Sequence, residues 1–261
     1  MFDVRRFSAC LAALACRTIL LLLPACVAAA EAKGQGEPPA PPSHEFTFVR
    51  LKYNTVWEGK IGPDDEWGWN YHPLLFPTLI EPLRTRTLVD VADKELVLTP
   101  ASKEIFNYPL LYMEGMRPFV FNDEEALNLR RYIYRGGLLF IDDSGPWPYK
   151  KDNFEGSILP EARRILPTEP LRTLPDGHAI FQCFYTLPGV PLLPHIGMTH
   201  PHSPLEAIEV NGRIGILISY NDLGGAARHI KEPRERGAYT KGAQELAWRV
   251  FINLVIYAMS H

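Results

Sequence analysis

The chain has 261 residues, of which 46% are hydrophobic, so it is long and apolar enough for a domain with a substantial core. Its formal net charge of −3, from 27 basic and 30 acidic residues, argues against a nucleic-acid partner, which would require a basic patch. Three of its four cysteines lie within the first 26 residues, which leaves Cys183 alone in the rest of the chain and excludes an internal disulfide there.

The N-terminal 30 residues have the pattern of a secretory signal. Arg5, Arg6 and Arg17 precede an apolar run from Thr18 to Ala30, and the alanines at 28–30 provide a cleavage site. A spanning helix needs roughly 20 uninterrupted apolar residues, and Arg17 interrupts this stretch. We therefore predict a signal peptide over residues 1–30 and an exported, periplasmic protein, with an uncleaved membrane anchor as the alternative.

A lipid anchor and a linker are also indicated before the main domain. Leu23 to Cys26 (LPAC) is similar to a lipobox, so a lipidated Cys26 is a second possible start of the exported protein. Residues 31–43 (EAKGQGEPPAPPS) are rich in proline and glycine and form a predicted linker. Residues 44–261 remain as a single α/β domain, and we expect membrane contact only through the signal or the lipid anchor.

The first elements of this domain are predicted from the alternation of apolar and polar residues and from short apolar runs. Phe46 to Tyr53 alternates and is rich in β-forming residues, which predicts a strand. Pro73 to Leu83 predicts a helix that Pro77 and Pro82 make irregular. Pro109 to Met113 is a short apolar run typical of a buried strand.

The clearest unit is a helix followed directly by a strand. Asn122 is a predicted N-cap with Glu125 three residues on, as in a capping box. Apolar residues then recur at helical spacing until Gly136, where the helix is expected to end. Leu138 to Ile141 follows as a strand that is apolar on both faces, which is typical of a parallel sheet covered by helices.

Further elements complete the predicted fold. Glu161 to Leu166 and Gln244 to Met259 are predicted helices. Asn211-Gly212 predicts a hairpin between the strands Leu205 to Val210 and Arg213 to Ser219. We therefore predict an α/β fold: a three-layer sandwich with a mostly parallel central sheet plus an added β-hairpin.

Polar side chains cluster where these strands end. Parallel strands bring their carboxyl ends to one edge of the sheet, where ligands bind. We predict a ligand-binding cleft there, lined by Tyr53, Asn54, Glu114, Asp142, Asp143, Ser144 and Asp222. The alternative is structural: Asp142 or Asp143 caps the following turn and pairs with Arg50 or Lys52.

The histidines indicate a functional site less clearly than the polar residues at the strand ends do. His195, His200 and His202 are close in sequence, but they lie in a proline-rich segment that we interpret as an exposed loop rather than a zinc site. We predict no bound cofactor and no dedicated metal.

Several motifs resemble one protein family. They are VRLKY at 49–53, YPLLYMEG at 108–115, LRRYIYRGGLLFIDD at 129–143, DGHAIF at 176–181 and NGRIGILISYNDLGG at 211–225. Their order across the domain is similar to domain-of-unknown-function family 4159. The resemblance implies a fold like that of class I glutamine amidotransferases, in a bacterial protein of the cell envelope.

The same resemblance also shows what this chain lacks. Amidotransferases carry a cysteine on the turn after a central strand, and here that turn contains Asp143 and Ser144 instead. Cys183 lies far downstream, so glutaminase activity is not expected. Where relatives carry an acidic residue after the DLGG turn, this chain has Arg228-His229, which weakens the transfer of a site to that position.

Three functional hypotheses therefore remain open. The first is a non-catalytic envelope domain that binds a partner protein or a small ligand. The second is a hydrolase that uses Asp143, Ser144 and a histidine such as His178, which requires these groups within hydrogen-bond reach. The third is a carboxylate-based metal or glycan site built from Glu114, Asp142 and Asp143.

Overall fold

The computed structural model describes residues 42–64, 66–144, 153–187, 204–228 and 241–261. The described residues belong to a compact unit that extends from Pro39 to His261. The predicted signal peptide, Cys26 and nearly all of the predicted linker lie outside the described residues, as do His195, His200, His202 and His229.

A seven-stranded sheet forms the centre of the domain. Its strands are β1 (Val49–Leu51), β4 (Leu96–Leu98), β5 (Leu110–Gly115), β7 (Leu138–Asp143), β8 (Leu171–Thr173), β9 (Glu206–Val210) and β10 (Arg213–Ser219). They are ordered β4-β1-β5-β7-β10-β9-β8. The first five are parallel, and β9 and β8 extend the sheet by antiparallel pairing.

The order of the parallel strands determines where a ligand crevice belongs. Numbered along the chain, the five parallel strands have the spatial order 2-1-3-4-5, which is the flavodoxin-like order. The chain reverses direction across the sheet between β1 and β5, and such a switch point opens a crevice at the carboxyl ends of the strands.

A second, smaller sheet lies outside this core. It consists of β2 (Asn54–Trp57), β3 (Lys60–Pro63) and β6 (Phe119–Val120), in the order β3-β2-β6 with antiparallel pairing. No pattern in the sequence predicted this sheet.

Five α-helices and two short 3₁₀ helices lie in the described ranges. The α-helices are α1 (Leu75–Arg86), α2 (Asp123–Tyr134), α3 (Phe154–Ile165), α4 (Leu223–Arg228) and α5 (Lys241–Ser260). The 3₁₀ helices are Lys103–Asn107 and Ala179–Phe181. Helix α2 begins with the predicted capping box: Asn122 accepts from the Glu125 amide, and the Glu125 carboxylate accepts from the Asn122 amide, each at 2.9 Å.

The two faces of the central sheet are covered by different helices. On one, which we call the α5 face, Phe48, Tyr112 and Phe140 pack with α1, α4 and α5. On the other, the α2–α3 face, Met113 and Ile141 pack with α2, α3 and the small sheet. The predicted three-layer α/β sandwich is confirmed, and so is the antiparallel β9–β10 hairpin. The specific likeness to amidotransferases stays a prediction.

Most of the predicted elements are present, with shifted ends. The strand predicted from Phe46 is continuous only over β1, although Phe46 bridges to Val91. The helix predicted at Glu161 is the second half of α3, which begins at Phe154 because Asn153 caps it. Strand β7 is completely buried, as its apolar sequence predicted.

Candidate functional site

The carboxyl ends of the parallel strands place most of the predicted site residues at one edge, but on two different faces. Glu114 of β5 lies beside Asp142 of β7, and the Tyr112 hydroxyl on the α5 face donates to Glu114 at 2.7 Å. Successive side chains of a strand point to opposite faces, so Asp143 lies on the α2–α3 face. There it raises the pKa of Tyr53, after the larger effects of burial and other neighbours. Strand alternation thus places the side chains of Glu114 and Asp143 on opposite faces of the sheet, and one shared cleft for them stays a prediction.

Glu114 is the centre of a buried polar network. Its Oε1 accepts from Arg50 Nη1 at 3.0 Å, and its Oε2 lies 2.8 Å from Nδ1 of His72. Burial by itself would raise the pKa of Glu114, but His72, Arg50 and Tyr112 outweigh burial, and the pKa lies below its ordinary value. Glu114 is thus held as a buried carboxylate by three neighbours from three parts of the chain.

His72 belongs to a loop that fills the switch point. In this loop, whose described part is residues 66–74, the carbonyl of His72 accepts from Arg50 Nη2 at 3.3 Å. The carbonyl of Trp67 accepts from the Met116 amide at 3.0 Å, just beyond the end of β5. The crevice that a flavodoxin-like sheet offers to ligands is therefore occupied by the protein's own loop. Nothing in the sequence around His72 indicated this role.

Asp142 has a structural partner, and it is not Arg50. Its carboxylate accepts from the amides of Leu223 at 3.1 Å and Gly224 at 2.7 Å, at the start of α4. Arg50 instead donates to Glu114 and Glu95, each at 3.0 Å. The structural alternative thus predicted a structural role for Asp142 correctly, but the partner of Asp142 is the start of α4 rather than Arg50. Asp142 caps a helix that follows it by about 80 residues.

The pKa of Asp142 reflects its crowded environment. Burial raises the pKa well above the ordinary value, and the nearby carboxylates of Asp222 and Glu114 act in the same direction. The two backbone amides lower it but do not outweigh these effects. Gly224 lies so close that a methyl group on its Cα would come within 2.6 Å of Glu114 Oε2.

Asp222 and Asn54 also have structural positions. Asp222 precedes α4 with a φ of +47°, and its Oδ1 accepts from the Gly225 amide at 3.0 Å, as an N-cap residue does. Its own amide donates to the Asp143 carbonyl at 3.2 Å. Asn54 begins β2 and lies opposite Pro63 and Val120 in the small sheet.

Ser144 is buried but not activated. Its amide donates to the Gly115 carbonyl at 3.3 Å, while its hydroxyl makes no hydrogen bond with any described residue. His178 is remote: its Nε2 lies 3.5 Å from Glu209, which is opposite Ile214 at the amino end of β10. Asp142 lies beside Ser219 at the other end of that strand, roughly 17 Å away at strand spacing. The structure does not bring His178 to Ser144.

Cys183 has the properties of a structural thiol. Burial raises its pKa, and its Sγ lies 3.1 Å from the Asn253 carbonyl of α5. A thiol with a raised pKa is a poor nucleophile, because the reactive species is the thiolate.

A surface groove lies at the carboxyl edge on the α2–α3 face. This α3 groove has a volume of about 440 Å³ and is lined by Glu155, Gly156, Leu159, Pro160, Arg163 and Tyr220. The Tyr220 hydroxyl donates to Glu206 at 3.3 Å. Burial raises the pKa of Tyr220, and the carboxylates of Glu206, Glu155 and Asp143 raise it further.

Asn153 lies beside the same groove. It is the N-cap of α3, and its Oδ1 accepts from the amide of Gly156, a groove residue, at 3.2 Å. Its Nδ2 is buried and makes no hydrogen bond within the part of the chain that the structure describes. The side chain is only 7% exposed. A donor of this kind is satisfied when a ligand or water supplies an oxygen.

Two further observations concern metals and membranes. Among the described residues, no three His, Cys, Asp or Glu side chains are grouped so as to hold a metal ion. In the same part of the chain, no helix combines the length and the apolar character required to cross a bilayer.

Comparisons with known proteins identify a family. The model of a family described as Domain of unknown function (DUF4159) matches residues 47–259, which confirms the predicted resemblance. A comparison with curated proteins finds no match.

Proposed function

The chain belongs to the DUF4159 family, whose description assigns no activity, and we propose that its domain binds a small polar ligand without transforming it. The proposed site is the α3 groove, at the carboxyl edge of the sheet. We further propose that the protein is exported and works in the cell envelope, on the basis of its N-terminal sequence.

The buried amide of Asn153 is the observation that carries this proposal. A buried donor without a partner costs roughly 1–3 kcal/mol, so such groups are rare unless they have a role. Ser144 is a second case, and both residues lie beside the end of β5: the Ser144 amide bonds to Gly115, and the Phe154 amide bonds to Met116. Two unsatisfied polar atoms thus lie at the carboxyl edge of the sheet, beside the crevice that the loop fills.

A binding role fits the chemistry of the edge better than catalysis. Ser144 has no histidine within hydrogen-bond reach among the described residues, and the pKa of Cys183 is raised by burial. Glu114 and Asp142 are engaged in holding the fold, through Arg50 and the start of α4. Among the described residues the hydrolase hypothesis therefore lacks an activated nucleophile, and in the carboxylate hypothesis Asp143 lies on the opposite face of the sheet from Glu114 and Asp142.

Thermal unfolding of the purified protein with three chemically different probes tests the binding role. The probes are tri-L-alanine, chitobiose and adenosine monophosphate, each at millimolar concentration. We expect at least one to raise the Tm of the wild type and to have no effect on Glu155→Gln or Arg163→Gln. The matched controls are Glu124→Gln and Arg131→Gln, exposed on the neighbouring helix α2, which should respond as the wild type does. No shift with any probe, or an equal shift in the groove variants, would refute the proposal.

Export is tested separately by N-terminal sequencing of the protein recovered from the envelope and periplasm. We expect the chain to start at Glu31 or Lys33, or at a lipid-modified Cys26. An intact segment from Met1 to Arg17 in the membrane fraction would show that the signal is not removed.

A further inference from the structure

The small sheet carries a second groove, separate from the one on α3. This β3 groove has a volume of about 570 Å³, within the roughly 300–1,000 Å³ that small-molecule sites have. It shares no lining residue with the α3 groove. Its lining includes Trp57, Lys60, Gly62, Asp64, Glu66 and Arg117.

A glycine leaves the floor of the β3 groove open. Lys60 lies opposite Trp57 in the pairing of β3 with β2, so both side chains are on one face of the small sheet. Gly62 is two residues further along β3 and faces the same way. A Cβ at Gly62 would meet no atom within 4 Å. The space above Gly62, beside the indole of Trp57, is therefore free to receive a ligand.

Trp57 provides an aromatic platform that is held in place from one side. The Arg117 guanidinium lies over its ring, 4.4 Å from the ring centroid. Arg117 is itself fixed, because its Nη1 donates to Asp64 Oδ2. Asp64 Oδ1 in turn accepts from the amides of Glu66 and Trp67, each at 3.0 Å. Trp57 is nevertheless 46% exposed, so part of the indole remains open to a ligand.

The charges around this platform favour an uncharged ligand. Two basic and two acidic side chains line the described groove, so their charges sum to zero: Lys60, Arg117, Asp64 and Glu66. Asp64 and Arg117 bind each other. Lys60 and Glu66 are exposed and make no ion pair with any residue that the structure describes. An ammonium and a carboxylate of this kind make strong hydrogen bonds to hydroxyl groups.

A strand from another protein fits this surface less well. Strand β3 is an edge of the small sheet, and an exposed edge can pair with another chain. However, β3 has only four residues, begins with Lys60 and ends with Pro63, which has no amide to donate. Short strands, lysine and proline all protect an edge from pairing. The centres of protein interfaces are also depleted in charged residues, unlike this groove.

A saccharide combines the properties that the β3 groove requires. A pyranose ring with equatorial hydroxyls presents C–H groups on its two faces and hydroxyls around its rim. The C–H groups suit the negative face of an indole, and the hydroxyls both donate and accept hydrogen bonds. We propose that the β3 groove binds a saccharide, with one pyranose ring stacked on Trp57 and its hydroxyls bonded to Lys60 and Glu66. This site is additional to the one proposed on α3 and does not depend on it.

Calorimetric titration of the purified protein with cellotriose and chitotriose tests the proposal. We expect at least one of these probes to bind the wild type, and to bind Trp57→Ala roughly tenfold more weakly because the stacking surface is lost. Trp57→Phe should restore part of the affinity, since it restores an aromatic face. The control is Phe184→Ala, which removes an exposed aromatic side chain elsewhere and should leave the affinity unchanged. Failure of both probes to bind, or an unchanged affinity in Trp57→Ala, would overturn the proposal.

A second variant fills the floor of the groove without removing any contact. Gly62→Val places a side chain in space that holds no protein atom, so the Tm should stay close to that of the wild type. The affinity for the saccharide should still fall roughly tenfold or more, because the new side chain occupies its place. Gly177→Val is the matched control: its Cβ also meets no atom within 4 Å, and neither the Tm nor the affinity should change. Wild-type affinity in Gly62→Val would show that the saccharide does not lie in this groove.

The proposals for the two grooves fail separately. If Arg163→Gln weakens saccharide binding and Trp57→Ala does not, the saccharide occupies the α3 groove; the present inference is then overturned, while the binding function proposed above stands. Aromatic grooves also dock proline-rich segments of other proteins. If the blocked peptide acetyl-PPAPP-amide binds the wild type but not Trp57→Ala, and neither saccharide binds, the inference is likewise overturned in favour of a protein partner.

Discussion

His72 Nδ1 lies 2.8 Å from Glu114 Oε2, and both side chains are almost completely buried. The two residues are 42 positions apart, so this contact joins the loop over the switch point to the central strand β5. Arg50 completes the arrangement from β1. The loop is thereby fixed to the sheet at the place where the strand order reverses.

Glu114→Gln should destabilise the protein strongly. The change removes the charge that compensates buried Arg50, and breaking a buried ion pair costs about 3–5 kcal/mol. Glu95→Gln is the matched control: Glu95 also pairs with Arg50, but its side chain is 24% exposed, so we expect a loss of about 1 kcal/mol. Denaturant unfolding measures both, and equal losses would contradict a central role for Glu114.

Two buried serines at the ends of neighbouring strands should respond differently to alanine. The Ser219 hydroxyl accepts from the Asn221 amide at 3.1 Å, so Ser219→Ala should cost about 1 kcal/mol. The Ser144 hydroxyl has no partner in the described chain, so Ser144→Ala should be neutral or stabilising without ligand. A loss of more than about 1 kcal/mol for Ser144→Ala would show that its hydroxyl is bonded in the folded protein.

Asp142→Asn should change how stability depends on pH. Burial and the carboxylates of Asp222 and Glu114 raise the pKa of Asp142 well above 3.8, so the folded protein holds this proton more tightly than the unfolded chain does. The stabilisation is complete below pH 3.8 and is lost as the pH rises through the folded pKa. The stability of Asp142→Asn relative to the wild type should therefore increase from pH 4 to pH 8.

Leu88→Ala is the control for this titration, because Leu88 is fully exposed and carries no titratable group. Its stability relative to the wild type should stay constant over the same range, as chemical denaturation at each pH will show. A constant difference for Asp142→Asn as well would mean that the pKa of Asp142 is the same in the folded and unfolded protein.

Gly224→Ala, at the start of α4, should disturb the buried polar network around Glu114. The new methyl group would approach Glu114 Oε2 to 2.6 Å and the Tyr112 hydroxyl to 2.7 Å. Overpacking of this kind costs about 1–3 kcal/mol. Gly177→Ala meets no atom within 4 Å and should leave the Tm within the error of the wild type. Equal Tm values for the two variants would show that α4 moves away without cost.

The sequence predicted those elements of the fold that depend on a pattern of a few consecutive residues. The capping box at Asn122 and the apolar run of β7 each occupy a few consecutive residues, and both are present as predicted. Two hairpins show where this limit lies. Asn211 and Gly212 turn with positive φ values, and so do Glu58 and Gly59 between β2 and β3. Only the first pair has the Asn-Gly sequence that predicts such a turn. The second hairpin was therefore not predicted.

The candidate site was less predictable because its contacts are long-range. The ends of the predicted strands indicated which residues lie at the carboxyl edge of the sheet. Because successive side chains of a strand point to opposite faces, however, Glu114 and Asp143 lie on different faces. His72 lies in an irregular loop, and its role depends on Glu114 and Arg50, which are far away in sequence. The α3 groove depends on Tyr220 meeting α3, which no local pattern specifies.

The position of α5 in the chain has a consequence for biosynthesis. This helix covers Tyr112 and Phe140 of the central strands, and its Asn253 side chain bonds to the carbonyls of Ile180 and Tyr185. A ribosome makes α5 after every strand of the sheet. Until then the part of this face that α5 covers is exposed in a nascent chain, and exposed apolar surface favours aggregation. We therefore expect the growing polypeptide to stay unfolded, or to be shielded by a chaperone, until α5 has been synthesised.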